Sequence, residues 1–154
     1  MNKVVAVSGF ELLVAAVFSA VAINGDIRRR QIPNSICAAL LVTGALTAGY
    51  CRGWLGFRDA LLGAAIGFLI FLIPYWLGGM GGGDVKLMAG FGAVTGLHGV
   101  LPALLLVAAS GGTMAVFYLT HQKLRRRTVP AAIPYAPAIV IGSYLVALSQ
   151  IGGK

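Results

Sequence analysis

No charged side chain interrupts residues 60–83 or residues 128–153, and the stretch 87–120 carries only a histidine. Uncharged apolar stretches of this length limit the possible folds more than any other feature. A soluble domain carries roughly a quarter charged residues. This chain of 154 residues has 10%, against 58% hydrophobic, with a mean hydropathy of +0.89. A transmembrane barrel would alternate apolar and polar residues in short segments, whereas these blocks are continuous. The expectation is an all-α integral membrane protein forming a single membrane-embedded domain over residues 1–154. At about 20 residues per crossing the chain holds about six transmembrane helices and no soluble domain.

The breaks between blocks predict spans over about 4–24, 35–50, 60–77, 85–97, 100–120 and 133–151, with a glycine-rich break before the fourth. Residues 51–59 read as a polar turn, His98-Gly99 as a tight connection and 121–130 as a basic loop. Lys3 and Ala20-Val21-Ala22 imitate a signal peptide, but Arg28-Arg29-Arg30 outweighs Lys3 and favours a retained span. The net charge of +8 does not point to nucleic acid, because the basic residues cluster between apolar blocks, where they set topology and meet anionic lipid. With the amino terminus outside, Arg28, Arg29, Arg30, Lys86, Lys123, Arg125, Arg126 and Arg127 fall in cytoplasmic loops. Lys3, Arg52, Arg58 and Lys154 remain outside, with Asp59 partly offsetting Arg58. This bias favours six spans with both termini outside. Cys37 and Cys51 have no CxxC pairing and read as small apolar fillers. The Gly63…Gly67 and Gly92…Gly96 pairs are spaced for close helix approach.

In that topology two of the four acidic residues, Asp26 and Asp84, face the cytoplasmic side. A carboxylate at the edge of a bilayer is costly unless it meets protein or water, which makes it a functional candidate. Asp84 ends Gly78-Gly79-Met80-Gly81-Gly82-Gly83, a segment without bulk to block an approaching peptide backbone. Non-helical backbone at membrane depth needs protein cover or water. A plain helix N-cap would also account for Asp84, and an ion pair with the neighbouring arginines for Asp26. Pro33-Asn34 suits the start of a helix. Two close carboxylates share a proton, so one can activate water while the other polarises a peptide carbonyl. That chemistry requires neither metal nor cofactor. His98 and His121 form no HExxH pattern, Gly-Lys-Ser/Thr is absent, and Glu11, a few turns inside span one, is either protonated and buried or near the outer headgroups.

Taken together, these residues resemble the type IV prepilin peptidases, a group of GxGD aspartic proteases. Gly81-Gly82-Gly83-Asp84-Val85-Lys86-Leu87 looks like the GxGDxKL motif. Asp26 with Pro33-Asn34 is similar to the first-aspartate motif, and Ile133-Pro134-Tyr135-Ala136-Pro137-Ala138 to the proline-rich start of the last helix. The resemblance covers nearly the whole chain in matching order. It implies Asp26 and Asp84 as the catalytic pair and Gly81 and Gly83 as shapers of the substrate-facing loop. Lys86 is then the motif lysine, suited to a carboxylate or a headgroup. Pro33, Asn34, Pro134 and Pro137 become loop-shaping or substrate-binding positions. The implied substrates are prepilins and pilin-like proteins, whose basic leader is cut at the cytoplasmic face of the inner membrane, just before their hydrophobic segment. Long family members carry a cytoplasmic insert with paired cysteines and also methylate the new terminus. Only about nine residues occupy the corresponding loop here, so peptidase activity without N-methyltransferase activity is expected, as in short tight-adherence (Flp-type) members. Two readings from other classes stand beside this one: a small cation-coupled transporter, since broken helices with acidic residues mark ion paths, and a non-catalytic pilus assembly scaffold. Nothing in the residues sets an oligomeric state.

Overall fold

The computed structural model describes residues 9–29, 33–78, 80–125 and 136–152, except for the side chains at 11, 26–29, 114–125 and 151–152. Helix is the only regular structure among them. Four elements follow in order: α1 (Gly9–Arg29), α2 (Asn34–Trp76), α3 (Gly82–Arg125) and α4 (Ala136–Gly152). Six separate helices were expected; the difference lies in how the chain turns.

At Gly53 (φ 67°, ψ −158°) and Gly96 (φ 67°, ψ −176°) the backbone enters a positive-φ region that glycine alone occupies without strain. Each reversal takes one residue, so the expected turn at 51–59 is helical on both sides of Gly53. The expected connection at His98-Gly99 likewise sits two residues earlier, at Gly96. A Cβ on Gly49 would touch the Phe57 ring, and one on Gly56 would run into the Ala48 carbonyl. Residues eight apart lie about 12 Å apart along a straight helix, so α2 doubles back on itself. In α3, Met88 meets Ser143 of α4 at 4.0 Å, while a Cβ on Gly142 would lie 2.8 Å from Val107. The two halves of α3 therefore run in opposite directions along α4. The break frees the Thr95 carbonyl from its helical partner, and Gln150 Nε2 donates to it at 3.3 Å.

The second half of α2 packs on the first half of α3 backbone to backbone. Gly63 lies directly against Gly92 and Gly96, and a Cβ on Gly67 would come within 2.9 Å of the Met88 carbonyl. The two small-residue pairs read from the sequence thus face each other. Leu40 covers Gly90 and Val94 covers Gly44, so the first halves of α2 and α3 run parallel, with Asn34 level with Asp84. Phe91, Leu40, Leu87, Met88 and Ile139 are fully buried at the centre. α1 packs on α2 and α4.

One carboxylate ties the two reversals together. Asp59 Oδ1 accepts the Leu97 N–H at 3.2 Å, Gly96 lies against its Oδ2, and Arg52 Nη1 stands 3.8 Å from that oxygen. Asp59 thus meets Arg52 across the Gly53 reversal, while its charge still counts against that of Arg58 at this end of the bundle.

The bundle therefore has two unlike ends. The helix ends at Asn34, Trp76, Gly82 and Ala136 lie at the Asp84 end, and both glycine reversals lie at the other. The most apolar stretch of α2 is only 33% buried, and Leu69 and Leu105 are 60% and 74% exposed. α2 and α3 each contain an uncharged apolar stretch that meets the length and hydropathy a bilayer crossing requires, and their exposed apolar faces suit a lipid surrounding.

Candidate active site

The site is built around the start of α3. Glycine-rich backbone leads out of α2 through Leu77 and Gly78 (φ 73°), and α3 opens at Gly82. Gly81 is the N-cap position. Its carbonyl accepts the Asp84 N–H at 3.1 Å, and its own N–H donates to Asp84 Oδ2 at 3.2 Å. This reciprocal pair satisfies two groups that a helix start would otherwise leave open. Asp84 therefore does cap α3, as the simpler reading of the sequence allowed. It is also buried, at 6% exposure, which is rare for a carboxylate whose task is capping alone. The Tyr75 ring lies 3.4 Å from where a Cβ on Gly82 would stand, so glycine lets the loop fold down onto α2.

Lys86 and Asn34 flank this loop. Lys86 Nζ donates to Asn34 Oδ1 at 2.8 Å, pinning the first turn of α2 to the first turn of α3. Pro33 holds the N-cap position of α2 (φ −59°, ψ 130°), and its carbonyl accepts the Ile36 N–H at 3.0 Å. Cys37, one turn further on, is buried with Sγ 3.8 Å from the Gly83 carbonyl. Sequence reading did not assign Cys37 to the site. The available signal was spacing: Asn34, Cys37, Ala38 and Leu41 fall on one helical face.

Asp26 lies in the last turns of α1, which continues five residues past the expected end of span one. Gly25 does not stop the helix, so Asp26 is on a helix and not in a loop. Its side chain is outside the described residues. The backbone alone limits its position: five peptide steps separate Arg29 from Asn34, a reach of at most about 18 Å. The carboxyl end of α1 therefore stays at the Asp84 end of the bundle. Pro137 stands in the first turn of α4, where proline is well tolerated. That turn is at the same end, since Ser110 Oγ donates to the Ala138 carbonyl at 3.4 Å. Pro134 lies outside the described residues. Among the described residues, no cluster of three or more His, Cys, Asp or Glu could hold a metal ion.

Residues 13–119 match the family model described as the type IV leader peptidase family. Both aspartates fall within the match. Among curated proteins, the chain is 34% identical over 146 residues to a prepilin leader peptidase/N-methyltransferase of Xanthomonas campestris pv. campestris, covering 90% of this chain and 49% of that protein. It is 36% identical over 148 residues to the protein of the same name in Bacillus subtilis, covering 90% and 56%. The Escherichia coli K12 protein of that name is 33% identical over 128 residues, covering 78% and 54%. The chain spans about half the length of the curated relatives it matches. No solved structure matches.

Proposed function

This chain belongs to the type IV leader peptidase family, and we propose that it is an aspartic endopeptidase removing the basic leader from type IV or Flp-type prepilins and pilin-like proteins. The observation that carries this reading is the buried Asp84, capping α3 through a bare glycine loop within the family match that also encloses Asp26.

Asp26 and Asp84 act as a pair. The ionised member takes a proton from water, whose oxygen bonds to the scissile carbonyl carbon while the protonated member donates to the carbonyl oxygen. Collapse of that intermediate breaks the C–N bond, and the departing amine takes a proton from the pair. Gly81 and Gly83 leave room for an extended peptide. The bundle crosses the inner membrane six times, with the halves of α2 and α3 as four of the crossings. The Asp84 end faces the cytoplasm, where positive charge concentrates.

The test is co-expression with a Flp-type prepilin, followed by gel shift and amino-terminal sequencing of the pilin. The unmodified chain is expected to remove the leader, whereas Asp26→Asn and Asp84→Asn are each expected to lower cleavage at least about 1,000-fold with insertion intact. Cleavage that survives either substitution defeats the dyad.

A further inference from the structure

A trough lies directly beside the Asp84 loop. Asn34 and Lys86 line its mouth at the Asp84 end, and Ala38, Leu41, Phe68 and Ala89 line the rest; its volume is ≈ 340 Å³. A second hollow of ≈ 320 Å³ shares Leu41, Phe68 and Ala89 and extends it past Ala64 and Ala65. From Asn34 to Leu41 the trough runs about 10 Å along α2.

We infer that this trough seats the apolar helix of the substrate that continues from the cleaved bond into the membrane. The inference rests on the peptidase reading and adds to it the surface that positions the substrate. Three observations select a helix as the occupant. The trough is continuous with the site: Cys37, on its lining, reaches the Gly83 carbonyl, and Lys86 follows Asp84 by two residues. Alanines at 38, 64, 65 and 89 remove bulk along its length, which in lipid lets another helix backbone approach closely. Its polarity is confined to the mouth, where the Lys86 ammonium and the Asn34 amide can bind peptide groups of an extended segment before helix begins. Below the mouth every peptide group must already be bonded within its own helix. The trough thus sets where the substrate changes from extended to helical, and so which bond lies over Asp84.

The test uses the full chain in native membranes, with Cys37 and Cys51 replaced by alanine and Asp84→Asn added to hold uncut substrate. Ala38→Cys and Ala65→Cys are each paired with a prepilin carrying single cysteines along its apolar segment. Leu105→Cys, on an exposed face elsewhere, serves as control. Disulfide trapping is expected at Ala38 and Ala65 with a three-to-four-residue periodicity, at least about tenfold above the control. In the otherwise unmodified chain, Ala38→Phe is expected to raise KM about tenfold while kcat falls less than about threefold. If the unmodified chain cleaves the prepilin but trapping at Ala38 and Ala65 stays at the control level, the trough is overturned and the peptidase reading stands. If the unmodified chain does not cleave, the peptidase reading and the trough fall together. Capture of a photoreactive anionic lipid at Ala38, undiminished by excess prepilin, would assign the trough to lipid and overturn the proposal.

Discussion

Asp84 combines two tasks that substitution can separate. Its Oδ2 caps the Gly81 N–H, and an asparagine keeps an acceptor there while removing the titratable group. Asp84→Asn is therefore expected to stay within about 0.5 kcal/mol of the unmodified chain in stability, while Asp84→Ala loses about 1 kcal/mol. Thermal unfolding in detergent would measure both, and equal losses would mean that the cap contributes nothing. Asp59 is the converse case. It holds the Leu97 N–H and Arg52 at the end of the bundle away from Asp84. Asp59→Ala should cost roughly 1–3 kcal/mol by leaving the Leu97 N–H without its acceptor, yet leave cleavage measurable at low temperature. Complete inactivity of a folded Asp59→Ala chain would show that this carboxylate does more than fasten helices.

For the elements, the glycines divide into two kinds. Gly63 touches backbone on Gly92 and Gly96, so even a methyl group forces the halves of α2 and α3 apart. Gly63→Ala is expected to lower stability by about 1–3 kcal/mol. Gly112, with open space where its Cβ would stand, should accept alanine with no loss, or with a gain of up to about 1 kcal/mol. A matched pair of melting curves decides this, and equal behaviour would refute the packing assignment. The apolar blocks were legible because charge is excluded from them by solvation, and Pro33 marked the start of α2 through its fixed φ. The reversals were not legible: Gly53 and Gly96 are two of 22 glycines, and only tertiary contacts single them out. Asp84 stood out by its glycine neighbours, whereas Cys37 came to the site through the parallel packing of α2 on α3, which no local pattern encodes.

Across the described residues of the molecule, the helix ends at Asn34, Trp76, Gly82 and Ala136 gather at one end and the two single-glycine reversals at the other. Reporter fusions check the orientation. An extracytoplasmic reporter should be active after residue 154 and at residues 52–54, and a cytoplasmic one at residues 126–130. The reverse pattern would invert the molecule and place Asp84 outside. The contact between Asp59 and Gly96 has a mechanical consequence. Helices fastened at that end can splay only about a pivot there, and Asp84 lies twelve residues along α3, about 18 Å away. A tilt of about 5° at the pivot displaces the Asp84 tip by about 1.5 Å over that length. The bundle is thus a lever whose fulcrum is a carboxylate, and the Lys86–Asn34 hydrogen bond at its far end is the latch that must open before rocking can widen the mouth there.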